Sequence, residues 1–196
     1  MMKLNAGVSG RYKLVTRKVH DLDNAVGELE FDNLITDIGL ERWATNPIGD
    51  KCFIGSGNAP PTVNDTALGA QLAASTATQS LQNWKAYSAA ERWTEATICY
   101  RFQPGVTLNS IAEVGVGWDG GLWSRALVRD VNGNPTTIQL LSDEVLDVYY
   151  TLRIQFPADV TGSIVLDGVT YDWVLRPADL ATWPESYSYY FYSAFA

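Results

Sequence analysis

The chain has 196 residues, 46% of them hydrophobic and 12% aromatic, which is enough for one large domain with its own core and excludes a disordered polymer. Its formal net charge is −8, and its 14 basic residues cluster only at Arg11, Lys13, Arg17 and Lys18, which argues against nucleic acid and against an anionic membrane surface. Cys52 and Cys99 have no CxxC spacing, which excludes a disulfide framework and gives zinc no foothold; each is expected as a small buried residue, with a bridge between them left open by spacing alone.

Residues 1–10 are expected to be a flexible lead-in; no signal peptide is expected, because no apolar core follows Met1-Met2-Lys3. Strands are predicted over 11–19 and 24–31, with a polar turn at Asp21-Leu22-Asp23-Asn24. Leu34, Ile35, Ile38 and Trp43 then recur at helical spacing, predicting a helix over 33–43 capped by Asp32 or Asn33. A short strand at 51–54 runs into a Gly- and Pro-rich loop over 55–61, and one or two helical turns are predicted over 65–72 behind Asn64 or Asp65. Beyond residue 78 the pattern is almost all strand: 84–88, 91–103, 111–118, 123–130, 136–141, 145–156, 163–166, 169–175 and 187–195. Asn132-Gly133 and Asp167-Gly168 mark tight hairpin turns, and Pro177-Ala178-Asp179-Leu180 suits a single helical turn. The whole is read as one mainly β domain over 1–196, an antiparallel β-sandwich or jelly-roll-like fold with one or two short helices in its N-terminal third. No run is long and apolar enough to insert in a membrane.

Catalytic patterns are sparse. His20, the one histidine, lies in a polar turn with no Gly-x-Ser-x-Gly elbow to serve, so no hydrolase triad is expected. Glu113, Asp119, Asp143, Glu144 and Asp147 are the acids nearest aromatic residues, but nothing sets two of them at a glycosidase separation. Gly55-Ser56-Gly57-Asn58 lacks the Lys-Ser/Thr of a P-loop, and the glycines of Gly115-Val116-Gly117-Trp118-Asp119-Gly120 lead into more strand instead of a helix. Asp130-Val131-Asn132-Gly133-Asn134 begins like a calcium loop, but Pro135 stands where glycine is required, and a locally satisfied hairpin turn is the better reading. The chain is therefore expected to have no catalytic residues, no cofactor and no metal.

The aromatic residues carry the remaining signal. Trp118, Trp123 and Trp173 suit either a sugar-stacking platform or a core and interface. In residues 185–196, Tyr187, Tyr189 and Phe191 share one strand face and Tyr190 and Tyr192 the other, so this C-terminal strand is expected to be covered on both sides, as at a contact between subunits. Trp123, Arg125, Leu127 and Arg129 are expected on one face of their strand, the arginines pairing with Glu113, Asp143 or Glu144 as surface ion pairs of about 0–1 kcal/mol.

Four phrases carry a family likeness: Phe31-Asp32-Asn33-Leu34-Ile35-Thr36-Asp37-Ile38-Gly39-Leu40; Ile54-Gly55-Ser56-Gly57-Asn58-Ala59-Pro60-Pro61-Thr62-Val63-Asn64-Asp65-Thr66-Ala67-Leu68; Ala112-Glu113-Val114-Gly115-Val116-Gly117-Trp118; and Leu122-Trp123-Ser124-Arg125-Ala126-Leu127. In this order the chain resembles tail and other virion structural proteins of tailed bacteriophages and prophages, over roughly residues 11–157, about three quarters of its length. The resemblance implies no enzyme. It implies a particle component made in the host cytoplasm and built into a virion tail, such as a tail, fibre-attachment or adaptor protein, with other virion proteins and copies of itself as partners. The alternative is a receptor- or carbohydrate-binding module at a tail tip, meeting host-surface glycan through Trp118, Trp123, Tyr187, Tyr189, Tyr190 or Phe191. A glycan hydrolase is a distant third.

Overall fold

A computed structural model describes residues 7–43, 49–76, 84–88, 90–106 and 110–175. The first sheet starts from a hairpin, β1 (Gly7–Lys18) with β2 (Asp21–Asp32), turned at Val19-His20 and not at the polar quartet that follows. Its other strands are β10 (Glu144–Gln155), β7 (Trp93–Phe102) and β6 (Trp84–Ser88), in the order β2-β1-β10-β7-β6. The second sheet has the order β3-β9-β8-β4-β5, from β3 (Leu34–Ile35), β4 (Lys51–Gly55), β5 (Gln71–Thr76), β8 (Glu113–Trp118) and β9 (Gly121–Leu127). All pairings are antiparallel. Helix α1 (Asp37–Trp43) follows β3, and a separate hairpin of β11 (Val160–Leu166) and β12 (Val169–Leu175) ends the described chain.

The architecture is a mainly β antiparallel sandwich with one short helix, as the pattern predicted. Side chains alternate along each strand, so each five-stranded sheet turns one face inward. Tyr12, Leu14, Ile98, Tyr100, Leu146, Val148 and Tyr150 from the first sheet meet Cys52, Ile54, Val114, Val116, Trp123 and Ala126 from the second in one core. Buried hydroxyls need partners, and here they bond across the two sheets. The Tyr12 hydroxyl lies 2.6 Å from Ser124 Oγ, and Trp123 Nε1 donates to Tyr150 Oη at 2.6 Å.

Several expectations are corrected. β1 starts at Gly7, inside the predicted lead-in, and pairs there with Gln155. The helix starts four residues later than its apolar spacing suggested, because Leu34 and Ile35 pair with Arg125 and Ser124 first. Its cap is therefore Thr36, whose Oγ1 accepts the Gly39 N–H at 3.0 Å. Gly39 sits mid-helix for a steric reason: a Cβ there would meet the Trp123 carbonyl oxygen at 2.7 Å. The predicted strand over 136–141 forms no ladder, since its N–H groups bond first to Val128 and then to Ile111. The Asp167-Gly168 hairpin turn stands as read, whereas the turn at Asn132-Gly133 spans residues 131–133 and is flanked by a single isolated bridge, Arg129 with Pro135, instead of two strands. Asp167 and Gly168 both take positive φ, as a two-residue turn of this type requires, and Asp130 Oδ1 accepts the N–H groups of Asn132 and Asn134. Residues 177–180 and 187–195 lie outside the described residues, as do Tyr187, Tyr189, Tyr190 and Phe191.

Candidate functional site

Residues 55–70 cross the outer face of the second sheet as a strap, held by one carboxylate. Glu113, at the start of β8, is fully buried. Its Oε1 accepts the N–H of Gly57 at 3.0 Å and of Ala70 at 2.8 Å, and its Oε2 accepts the N–H of Gly69 at 3.0 Å. Arg125, diagonal to it on the neighbouring β9, donates to the same carboxylate through Nε at 2.9 Å and Nη2 at 2.7 Å. Its Nη1 reaches Asp65 Oδ2 at 2.6 Å and its Nη2 the Ala59 carbonyl at 3.1 Å. Asp65 in turn closes a tight turn by accepting the N–H and hydroxyl of Thr62. The predicted helical turns over 65–72 do not form, because the N–H groups of Gly69 and Ala70 are spent on Glu113 and the chain runs straight into β5. Under the strap, Leu68 packs on Phe53 and Leu122.

Burial alone would raise the pKa of Glu113. The Ala70 and Gly69 amides and the Arg125 guanidinium outweigh it and hold the carboxyl below its ordinary value. Asp65 follows the same logic: partial burial pushes it up, but the Thr62 amide, Arg125 and the Thr62 hydroxyl bring it lower. Arg125–Glu113 is thus a buried pair and not the surface pair expected from sequence. Arg129 instead donates to the Gly133 carbonyl at 2.6 Å.

The first sheet has its own buried acid on its outer face. Asp147 of β10 is fully buried; Arg101 of β7 meets both its oxygens at 2.6 and 2.7 Å, and Arg17 of β1 reaches Oδ2 at 2.5 Å. Beside them, burial and then the Asp147 charge push the Cys99 thiol up to about 12. Cys52 faces the core instead, and the two cysteines are free. Next to this cluster an open groove of about 380 Å³ runs over the sheet, lined by Arg11, Lys13, Glu30, Glu95, Tyr149 and Thr151. Its charges are all paired, Arg11 with Glu30 at 2.9 Å inside the groove, Lys13 with Glu28 at 2.7 Å and Glu95 with Arg153 at 2.7 Å beyond its rim, and Thr97 and Thr151 share a hydroxyl bond of 2.7 Å.

The other acids picked out from sequence are also engaged: Asp119 with Lys51 at 2.6 Å, Asp143 with Lys18 at 2.9 Å, Glu144 with Lys18 at 3.2 Å. Of the tryptophans, Trp123 is withdrawn from any surface role. A register shift opposite Val116 and Gly117 inserts one residue and turns its ring into the core, away from the face of Arg125 and Leu127. Trp118 is half-buried against Gly121, with the Arg42 guanidinium 4.3 Å from its ring centre. Trp173 is exposed on β12.

The β11–β12 ribbon was predicted as a hairpin, but its exposure was not. Every residue of β12 is exposed, and most of β11. It joins the sandwich through residues 156–159, where Arg92, at φ 58°, donates to Asp159 at 2.6 Å and to the Pro157 carbonyl. Among the described residues no group of three or more His, Cys, Asp or Glu forms a metal cluster. Comparison of the chain with family models, with curated proteins and with solved structures finds no match.

Proposed function

We propose that this chain is a structural subunit of a tailed-phage virion, a tail, fibre-attachment or adaptor protein present in several copies, and not an enzyme. The observation that carries this reading is the ribbon, whose apolar side chains stand in solvent on a two-stranded hairpin, a form that is marginal in water without a further layer. The fully buried acids Glu113 and Asp147 support it too, since both are consumed by arginines that hold strands and loop in place. The four phrases behind the phage likeness fall on β3, α1, the strap, β8 and β9, and the last three of them build the Glu113–Arg125–Asp65 lock. The likeness therefore concerns how the sandwich is held together, and what is particular to this chain lies on other surfaces. Mass spectrometry of particles purified from cells that carry the gene is the test. Stoichiometric amounts of the chain in intact particles are expected, and a chain recovered only from the free lysate would sink the proposal.

A second reading, a glycan-binding module at a tail tip, is favoured by the groove on the first sheet, where Tyr149, hydroxyls and paired charges line an open channel of sugar-like dimensions. Glycan-array binding that is lost in Tyr149→Ala would establish it.

A further inference from the structure

We propose that two copies of this chain join through the apolar face of the β11–β12 ribbon, each copy covering the other. The inference rests on the multi-copy reading above and names the partner surface. The register sets Ile164 opposite Tyr171, Leu166 opposite Val169, and Gly162 opposite Trp173. Cross-strand partners share a face on a pleated ribbon, and so do alternate residues along a strand. Ile164, Leu166, Val169, Tyr171, Trp173 and Leu175 therefore form one side. Thr161, Ser163, Thr170 and Asp172 lie on the reverse with Val165 and Val174.

The six apolar residues are each 37% to 54% exposed. Their face carries no charge, so it is complementary to another apolar surface and to no charged one. Of the remaining exposed large hydrophobics, Val165 and Val174 stand on the ribbon's reverse among Thr161, Ser163, Thr170 and Asp172, and the others lie in separate places: Val19, Leu22 and Val26 in the β1–β2 hairpin, Leu40 on α1, Val63 on the strap, Val131 and Leu141 in turns. Among the described residues, the surface that matches this face in chemistry and length is the same face of a second copy.

Geometry agrees. The Trp173 ring lies across Gly162, where any Cβ would collide with it, so the ring fills the gap left by glycine and levels the face. Two level sheets stack face to face, and a face that meets itself does so about a two-fold axis. The six side chains offer on the order of 500 Å² per copy, so a pair buries about 1,000 Å², the lower bound for a specific interface. Each copy's net charge of −8 opposes approach, so added salt strengthens the contact.

Sedimentation velocity on the full chain, over a hundredfold range of concentration, tests this directly. A monomer–dimer equilibrium that tightens with salt is expected. The double variant Ile164→Lys/Tyr171→Lys weakens it on the order of a hundredfold, whereas Val165→Lys and Thr170→Lys on the reverse face leave it intact. All variants keep the wild-type melting temperature, because these side chains do not touch the core. A dimer that survives Ile164→Lys/Tyr171→Lys overturns the ribbon contact and leaves the multi-copy reading standing. A dimer broken by Tyr189→Lys/Phe191→Lys but not by the ribbon lysines assigns the contact to residues 176–196 and also overturns it. A wild-type monomer at every concentration overturns the ribbon contact; if the chain is also missing from purified particles, the reading beneath it falls as well.

Discussion

Glu113 and Asp147, both fully buried, use the same chemistry to different ends. Glu113 receives three backbone amides and one arginine, and the amides belong to a strap that has no ladder of its own. Asp147 receives two arginine side chains from strands already paired to its own. If Glu113 is lost, the amides it held have nowhere to go while the strap stays in place. If Asp147 is altered, Arg17 and Arg101, each still slightly exposed, can turn their ends to water. One acid shapes a loop; the other trims a surface that the sheet has already made.

That contrast sets a ranking of effects. Glu113→Leu should cost the most, about 3–5 kcal/mol in urea unfolding, because it strands Arg125 along with the strap amides. A loss no larger than that of the Asp147 variant would break the contrast. Asp147→Asn should cost about 1–3 kcal/mol by the same measurement, since the amide keeps one acceptor for the two arginines.

Acid comes next. The folded pKa values of Glu113 and Asp65 lie below those of the unfolded chain, so their contribution is complete above about pH 4 and drains away as pH falls through the lowered folded values. Melting temperature against pH should drop in that acid window, and Asp65→Asn should drop less steeply. A thiol reagent at neutral pH should find neither cysteine in the folded protein and both in denaturant, because burial raises both thiols. Asp147→Asn should speed the reaction at Cys99 alone, as it removes a neighbouring negative charge. Arg11→Gln, on the exposed rim of the groove, should change stability by no more than about 0.5 kcal/mol. A larger loss would mean that the outer face of the first sheet is organised as tightly as the strap.

Much of the fold was legible because its strands alternate. β6 and β12 have the predicted bounds, and β4, β7 and β10 end within two residues of theirs. What escaped depended on partners distant in sequence. Residues 65–72 have good helical composition and are straightened by a carboxylate more than forty positions away. The alternation that placed Trp123 beside Arg125 fails at a bulge, and the bulge is set by the register with β8, which local pattern does not reveal. Thr36 was passed over as a cap because Leu34 and Ile35 look helical until they pair with β9.

The site was less legible than the fold. Glu113 and Arg125 were named as partners, yet nothing in their spacing said that a glycine-rich segment would close over them and dry the pair. The signal was present in Gly57 and Gly69, each within hydrogen-bonding reach of the acid. The alternating apolar residues of β11 and β12 predicted the hairpin correctly. Covering elements cannot be read from alternation, so the sequence alone left open whether this hairpin was roofed.

Pinning the strap at Gly57, Asp65 and Gly69 leaves its crest at Ala59-Pro60-Pro61 between the clamped points, hydrogen-bonded to Arg125 through the Ala59 carbonyl. Lengthening a loop whose ends are already fixed costs entropy only logarithmically. The crest is thus a natural splice point: a foreign peptide placed between Pro60 and Pro61 would be displayed outward by a foundation that never senses it, whereas a single methyl added at Gly57 would run into the acid and loosen the whole display.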